Sequence, residues 1–513
     1  MRWIRNFKNC VWEQWVFVSL TFLCCVVLFI SSSSAASNPT QSHLEALGNV
    51  DGARMLKDVQ ALSDSEFEGR QAGTLGGRRS AGFVAERFKA LGLLPATTEQ
   101  GGFQEKHWEQ SGPVNVVRFS SAPLVEFSSI PGDGQSPVLR LRVGSDYLPV
   151  LDSPSINVVA QVVFVGYGIS DPARDFDEYQ GLNVRNRVVM FLRGKPRNYP
   201  RWVTHVEKER IARENGAVGF LTLTGPSLSA YAARRGMGHA PLAFYNNLQN
   251  SRPLPGCWVS TAVGEKVFAS QGLSLQELQK NIDEHLTIQS RELGILARLR
   301  WESRQEVGRL INVLGVIPGS DPKLREETVV IGAHRDHFGQ QAGLLFPGAD
   351  DNASGTAVLL EVARILKESS HPPRRTILFA SFSGEEQDLQ GSRLYVRNPA
   401  RTLSQTVAMI NVDHVGIGNG KLTVGVTKIP KEVAKEAAQM AGLSGDVELY
   451  GLFPGGDHVP FAKAGVPTIA VVTSGAHPFF HQPSDVPETI QPHVLQAAAR
   501  YILALTWILA NPS

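Results

Sequence analysis

The chain has 513 residues, of which 42% are hydrophobic and 19% are charged, and its formal net charge is +2 at pH 7. The length corresponds to two or three domains of ordinary size, and the composition excludes a disordered or collagen-like chain and gives no indication of a nucleic-acid partner. Past residue 36 no apolar run reaches the ~18 residues of a membrane span, so the body of the chain is not expected to cross a membrane.

Residues 1–36 have the build of a secretory signal peptide, with a basic start, an apolar stretch at 15–30 and small residues ending in Ala35 and Ala36. We expect cleavage after Ala36 and export of the mature chain to the periplasm or the exterior. An uncleaved signal anchor is the alternative, because this apolar stretch is long for a signal and short for a span. Cleavage leaves Cys257 as the single cysteine, so no intramolecular disulfide is expected.

The chain up to residue 290 contains two kinds of pattern. Residues 53–63 and 75–92 have helical spacing, and 103–150 alternates apolar and polar residues, as in 138–143, which predicts antiparallel strands. A second compact unit is predicted from residue 150. Its predicted elements are strands at 158–165, 187–192 and 219–223 and a helix at 206–214.

From residue 295 onward, predicted strands alternate with predicted helices. The strands are expected at 296–301, 310–316, 328–333, 376–382, 406–412 and 468–472, and the helices at 353–366, 389–396, 431–441 and 492–509. This alternation predicts an α/β fold with a mostly parallel central sheet flanked by helices. In such sheets ligands bind beyond the carboxyl ends of the strands.

Imidazole and carboxylate side chains follow four of these strands, and a loop before a helix adds a pair of carboxylates. These residues are His334, Asp336 and His337; Glu385 and Glu386; Asp413 and His414; His477 and His481; and Asp350 with Asp351. Each segment alone is explained by a helix cap, a solvated turn or a structural histidine. Together on one sheet edge they indicate a metal site. Oxygen and nitrogen ligands without cysteine suit hydrolytic zinc, with cobalt or manganese as substitutes.

The motifs GAHRDHFG, GADDNASGTAVLLEVARIL, FSGEEQDLQGS, NVDHVG and HPFFHQPSDV resemble, in order and spacing, the co-catalytic di-zinc aminopeptidase family of clan MH. That family also includes glutamate carboxypeptidase and glutaminyl cyclase. EGRQAGTLGGRRSAGFVAERFKALGL is similar to its opening helix. VVFVGYGISDP and GLNVRNRVVMFLRGKPR resemble its inserted protease-associated domain. The resemblance implies a zinc exopeptidase fold (phosphorylase/hydrolase-like) formed by 37–149 and 291–513, with an α+β insert at 150–290.

The resemblance also implies roles for the residues of the motifs. His334 with Asp413, and Glu386 with His481, would each complete the site of one Zn²⁺ ion, and Asp351 would bridge the two ions. Glu385 would be the general base that takes a proton from metal-bound water and so forms the attacking hydroxide, and Asp336 would support His334. His337, His414 and His477 are assigned structural roles.

Two positions depart from the family pattern. Phe480 stands where many relatives have a tyrosine whose hydroxyl can stabilise the oxyanion, and Gly456 stands where a serine is usual. Asp457 and His458, which follow Gly456, are expected to line the substrate side.

The resulting hypothesis is a secreted zinc aminopeptidase that acts on peptides, with no nucleic-acid partner and no oligomeric state indicated. Carboxypeptidase or dipeptidase action is the alternative, followed by glutaminyl cyclase chemistry and a non-catalytic receptor-like protein. The carboxylates favour recognition of a substrate ammonium. Arg335 is predicted to face away from the metals, because alternate side chains of an extended segment point to opposite faces. H-E-x-x-H and G-x-S-x-G motifs are absent from the sequence.

Overall fold

The computed structural model describes residues 46–98, 106–130, 139–238, 240–246, 248 and 253–512. The predicted signal peptide, residues 1–36, lies outside the described residues. Those described fall within one compact unit, Gln41–Ser513. The predicted domain boundaries at 149/150 and 290/291 stay a prediction.

The helices of the described chain include all seven that were predicted, each within two residues at either end, and four that were not, at Ala230–Arg234, Thr261–Ala269, Leu275–His285 and His458–Lys463. They are α1 (Gly52–Leu62), α2 (Leu75–Ala90), α3 (His205–Glu214), α4 (Ala230–Arg234), α5 (Thr261–Ala269), α6 (Leu275–His285), α7 (Gly355–Glu368), α8 (Gln390–Arg397), α9 (Lys431–Met440), α10 (His458–Lys463) and α11 (Pro492–Ala510). The helix predicted at 353–366 starts two residues later, because an irregular helical turn, Ala349–Ser354, precedes α7.

The strands of the described chain form two large sheets and three short two-stranded ribbons. They are β1 (Leu94–Pro95), β2 (Thr97–Thr98), β3 (Lys106–His107), β4 (Glu109–Phe119), β5 (Leu124–Ser129), β6 (Leu139–Arg140), β7 (Tyr147–Pro149), β8 (Ile156–Phe164), β9 (Ser170–Asp171), β10 (Phe176–Asp177), β11 (Val188–Leu192), β12 (Gly219–Leu223), β13 (Gly256–Val259), β14 (Arg291–Trp301), β15 (Ser303–Ile317), β16 (Thr328–His334), β17 (Gly339–Gln341), β18 (Leu344–Phe346), β19 (Thr376–Phe382), β20 (Thr406–Val412), β21 (Leu422–Thr427), β22 (Val447–Tyr450) and β23 (Thr468–Thr473).

The larger sheet has nine strands in the order β1-β15-β19-β16-β20-β23-β21-β22, with β4 also paired to β15. Its four middle strands, β19, β16, β20 and β23, are parallel, whereas β15 and β21 join them antiparallel. The predicted α/β class with a central sheet flanked by helices is therefore confirmed, and the parallel strands expected of it form the middle of a mixed sheet. All four parallel strands end at the same edge.

The central sheet is covered on both faces, as the nearly continuous apolar sequence of its parallel strands requires. One face packs against α1, α2, α7 and α11 through a large core that includes Met55, Phe88 and Leu359. The other face packs against α8 and α10, where Tyr395 stacks on Phe461. Helix α11 is long and apolar enough to span a bilayer, but 67% of its most apolar window is buried, so it serves here as a core helix.

The second large sheet has the order β6-β5-β14-β8-β11-β12-β13-β7, with β8, β11, β12 and β13 parallel. It contains its own apolar cores, and α3, α5 and α6 pack on it. Strands β5, β6, β7 and β14 of this sheet lie outside the range 150–290. Lys208, which is buried in the middle of this layer, is hydrogen-bonded to the backbone: its ammonium donates to Leu192 O and Gly194 O.

Some predicted elements differ from those observed. The alternating segment 138–143 forms only the short strand β6, and Val138 lies outside the described residues. Strands β14 and β15 begin five and seven residues before the predicted starts at 296 and 310, because they pair with β8 and β4 along polar, half-exposed stretches. Strands β21 and β22 were not predicted.

Candidate metal centre

The carboxyl ends of the four parallel strands carry the side chains singled out from the sequence. His334 is the last residue of β16, Asp413 follows β20, and Glu385 and Glu386 follow β19 after a short turn. Asp351 lies in the irregular turn before α7. His481 reaches the same edge from the loop after β23 and completes a buried cavity of imidazoles and carboxylates.

Asp351 lies between two imidazoles. Its Oδ1 is 3.4 Å from His334 Nε2, and its Oδ2 is 3.1 Å from His481 Nε2. Oδ2 is buried and has no hydrogen-bond partner, although that imidazole nitrogen is so near. Two acceptor atoms that approach each other without a proton between them point to a common cation, and one carboxylate with an imidazole on each side suits two cations.

Both imidazoles are oriented by backbone carbonyl groups. His334 Nδ1 lies 3.2 Å from Asp336 O, and His481 Nδ1 lies 3.0 Å from Ala243 O. A proton on each Nδ1 leaves the lone pair of each Nε2 directed into the cavity, which is the tautomer that a metal ligand needs. The Ala243 N–H also donates to His481 O at 3.0 Å. This contact comes from the segment between β12 and β13, within the range predicted as the insert.

Three further carboxylates complete the cavity. Asp413 Oδ1 is 3.3 Å from His334 Nε2, and Glu386 Oε2 is 3.5 Å from His481 Nε2. A carboxylate oxygen of Glu385 lies within 4.8 Å of ligand atoms of His334 and Asp413. The structure thus brings together all seven residues of the predicted site, with Asp336 Oδ1 accepting the Glu385 backbone N–H at 3.3 Å.

The pKa shifts in the cavity indicate that its carboxylates carry more negative charge than a buried site normally holds. Burial raises the pKa of Glu385 well above its ordinary value, and burial followed by Asp351 and Glu385 does the same for Glu386. Burial lowers the pKa of His334, but Asp413 and Glu385 outweigh it and hold that pKa well above its usual range. Bound cations would compensate this negative charge, because they supply the positive charge that the carboxylates otherwise obtain by binding protons.

The three histidines assigned structural roles all lie beside this cavity. His337 Nδ1 is 2.8 Å from Glu386 Oε1, so it orients the ring-facing oxygen of that carboxylate. His477 Nδ1 is 2.6 Å from Asp350 Oδ2. His414 Nε2 lies 3.6 Å from Asp351 Oδ2 and 3.7 Å from Asp413 Oδ1. All three also belong to groups of potential ligand atoms that lie within 4.8 Å of one another, so their structural role stays a prediction.

Two buried arginines fix the backbone around the cavity. Arg70 donates to Arg335 O, Leu62 O, Pro347 O and Gly348 O at 2.5–2.6 Å, which ties the opening segment of the chain to the loop that carries Asp351. The Arg335 guanidinium donates to Ser381 O, Phe382 O and Ile311 O. Its side chain therefore points away from the candidate metal centre, as predicted. The role of Arg70 was missed, although it lies in a motif used for the resemblance.

The two departures from the family pattern have structural counterparts. Phe480 stacks on His481 with ring centroids 3.6 Å apart, so it braces that imidazole but offers no hydroxyl. Gly456 has φ 101°, a conformation that favours glycine over serine. Asp457 is fully buried beside the cavity, where burial raises its pKa to about 7, and His458 Nε2 is 3.2 Å from Phe453 O.

The fold and the site together define an α/β protein with a candidate metal centre of imidazoles and carboxylates at the ends of its parallel strands. Residues 312–506 match the model of peptidase family M28. The matched segment contains all five candidate metal ligands, so the candidate metal centre lies within the part of the chain that is similar to this peptidase family.

The chain is also similar to peptidases of known sequence, and it shares its fold with a solved structure. The chain is 25% identical over 338 residues to a probable leucine aminopeptidase of Arthroderma otae, an alignment that covers 60% of this chain and 89% of the relative. It is 26% identical over 388 residues to a probable glutamate carboxypeptidase of Arabidopsis thaliana, covering 68% of this chain and half of that relative. The aminopeptidase from Aneurinibacillus sp. strain AM-1 has the same fold, with a TM-score of 0.64, 19% identity and coverage of 92% and 97% of the two chains.

Proposed function

We propose that this protein is a di-zinc aminopeptidase that removes residues from the free amino terminus of peptides. The observation that carries the proposal is the position of Asp351, whose two oxygens face His334 Nε2 and His481 Nε2 within one buried cavity. His334 and Asp413 would hold one ion, Glu386 and His481 the other, and Asp351 both. Zinc suits this all-nitrogen and oxygen set, and cobalt or manganese are expected to substitute.

When bound, the ions would supply Lewis acidity, which activates water and polarises the scissile carbonyl. Glu385 is the residue that moves the proton: its carboxylate takes it from the attacking water and returns it to the leaving amine. The Asp336 carboxylate accepts the backbone N–H of Glu385 and lies beside His334, so Asp336 positions both residues. Phe480 contributes no hydroxyl, so stabilisation of the oxyanion falls to other groups.

The direction of cleavage is inferred from the charges around the cavity. A substrate ammonium needs carboxylate partners, and Glu385 and Asp413 lie on the same side of the cavity as His334. Arg335 is turned into the sheet and cannot bind a substrate carboxylate there. The carboxylate-rich wall therefore favours recognition of the amino terminus, with apolar side chains slightly preferred.

A pair of substrates tests the direction of cleavage. The zinc-loaded protein should hydrolyse an aminoacyl anilide and cleave its N-acetylated form at least ~100-fold more slowly in kcat/KM, because acetylation removes a charge-assisted contact and adds bulk. Efficient turnover of the acetylated substrate would contradict ammonium recognition and favour carboxypeptidase action. A cyclase would instead release ammonia from an amino-terminal glutamine.

The location of the enzyme follows from residues 1–36, from which we infer export. Peptides outside the cytoplasm would then be its substrates. The alternative of a signal anchor would keep the same catalytic chain at a membrane surface.

His337 offers a test of how the carboxylate of Glu386 is held. We expect His337→Ala to weaken binding of one zinc ion by ~10–100-fold, because Glu386 loses the imidazole that orients it at 2.8 Å. Zinc affinity measured by competition with a chelator checks this. His493→Ala, which removes an exposed imidazole on α11, is the matched control and should bind zinc like the parent. Equal affinity in both variants would show that Glu386 needs no such support.

A further inference from the structure

One imidazole at the edge of the candidate metal centre has a position that differs from that of the ligands. His414 Nε2 lies 3.6 Å from Asp351 Oδ2 and 3.7 Å from Asp413 Oδ1. The first of these oxygens faces His481 and the second faces His334, so the imidazole lies against both halves of the centre. Each proposed ion already has three protein ligands, the usual number at a catalytic zinc site. His414 therefore borders the space in which the substrate reacts.

The surroundings of the His414 ring favour a proton on the nitrogen that faces the cavity. Nδ1 is buried without a hydrogen-bond partner among the described residues, and Asp350 Oδ2 is 3.6 Å away from it. That oxygen already has His477 Nδ1 at 2.6 Å. Because a buried N–H without an acceptor is costly, the neutral ring carries its proton on Nε2. An N–H donor therefore points into the cavity.

The backbone around His414 fixes the position of this donor. His414 has φ 47°, a conformation that is uncommon for a residue with a side chain. Its carbonyl oxygen accepts the Thr473 N–H at 3.1 Å and lies 2.7 Å from Thr473 Oγ1. The N–H groups of the next two residues donate to Ser354 Oγ and Asp350 Oδ1 at 3.1 and 2.8 Å. Such conformations cluster at functional sites, where the surrounding contacts hold one side chain in place.

Hydrolysis of a peptide bond requires a donor of this kind. Attack of water on the scissile carbonyl moves an electron pair of the C=O bond onto oxygen, and the resulting oxyanion is stabilised by hydrogen-bond donors held at its position. Phe480, whose ring centroid is 5.2 Å from that of His414, borders the same part of the cavity and has no donor. His337 and His477 each have a carboxylate oxygen within 2.8 Å of Nδ1. His414 Nε2 has no such partner.

We propose that the Nε2–H of His414 stabilises the oxyanion of the tetrahedral intermediate by a hydrogen bond. The imidazole keeps its proton throughout. When the intermediate collapses, the C=O bond re-forms, the C–N bond breaks, and the leaving amine takes the proton held by Glu385. His414 is thus a catalytic residue of the proposed peptidase reaction, on which this inference rests, and its role differs from those of the ligands and the general base.

Two substitutions separate the donor from the rest of the side chain. His414→Gln places an amide N–H near the position of Nε2, whereas the shorter side chain of His414→Asn reaches only the position of Nδ1. Asparagine tolerates the left-handed backbone, so His414→Asn is expected to fold. It should keep two zinc ions and the parent KM on a leucyl anilide but lose ~10²–10³-fold in kcat. His414→Gln should recover part of this loss.

A second readout does not depend on turnover. A phosphinate analogue of leucyl-alanine has a tetrahedral phosphorus and a charged oxygen like the intermediate, whereas leucinamide has a planar carbonyl group like the substrate. Calorimetry on the zinc-loaded protein should show that His414→Asn binds the phosphinate ~10²–10³-fold more weakly than the parent and binds leucinamide equally well. Zinc content by elemental analysis and the thermal midpoint are measured for every variant.

Four outcomes would overturn the proposal. Loss of a zinc ion from His414→Asn would make His414 a ligand, and parent-like kcat with parent-like phosphinate affinity would make it a structural residue. Equal losses of affinity for phosphinate and leucinamide would assign it to substrate binding. The fourth is a parent that binds the phosphinate no more tightly than leucinamide. If His414→Gln does not fold, the phosphinate affinity of His414→Asn decides by itself.

Failure of the aminopeptidase assignment has a different signature. The parent then cleaves the N-acetylated substrate well or cleaves no peptide. The phosphinate affinities of the parent and His414→Asn can still be compared in that case, and they decide the role of His414 separately.

Discussion

Glu385→Gln is expected to keep both zinc ions and to lose ~10²–10⁴-fold in turnover. The substitution removes the carboxylate that accepts and returns the proton, but it leaves the size of the side chain and the five candidate ligands almost unchanged. Its backbone N–H can still donate to Asp336 Oδ1 at 3.3 Å, so the loop should keep its conformation. Metal analysis together with kcat on an aminoacyl anilide measures the two effects.

Glu386→Gln is the matched comparison, because it makes the same chemical change one residue along the chain. Its side chain faces His481 and His337 instead of the open side of the cavity, so we expect zinc content to fall first and activity to follow. If Glu385→Gln loses zinc and Glu386→Gln keeps it, the roles of the two glutamates are reversed.

Asp351→Ala is expected to lower zinc content from about two ions per chain to well below one. One carboxylate is shared between the sites, so its removal takes a ligand from both and leaves the charges of the ions less compensated. Zinc per chain after dialysis, measured by elemental analysis, gives the result. Loss of activity on all substrates should accompany it.

Asp413→Ala and His481→Ala test whether Asp351 bridges the two ions, because each of these variants removes a ligand of one site only. Asp413 faces only His334 of the two ligand imidazoles, and His481 faces Asp351 and Glu386. Each variant should therefore retain about one zinc ion per chain where Asp351→Ala retains fewer. Equal zinc content in Asp351→Ala and Asp413→Ala would show that Asp351 does not bridge.

Much of the centre could be predicted because four of its segments directly follow buried strands. A parallel α/β pattern brings carboxyl ends to one edge, so His334, Glu385, Glu386 and Asp413 were predicted to meet without any knowledge of the register. Strands β21 and β22 were missed because neither contains a continuous apolar run. Thr423 and Gly425 interrupt the apolar residues of β21, which is as long as β23, and β22 has only four residues, none of them buried.

The amino-acid sequence by itself determined the α/β class, the order of the central elements and the set of ionisable residues at one sheet edge. These features depend on the local periodicity of apolar residues and on the handedness and direction of the strand connections, which short stretches of sequence encode. Tertiary structure alone decided which atoms face the cavity. Ala243 and His481 are 238 residues apart, and Arg70 bonds carbonyls up to 278 residues away. Such contacts depend on the packing of distant layers, which no local pattern in the sequence records.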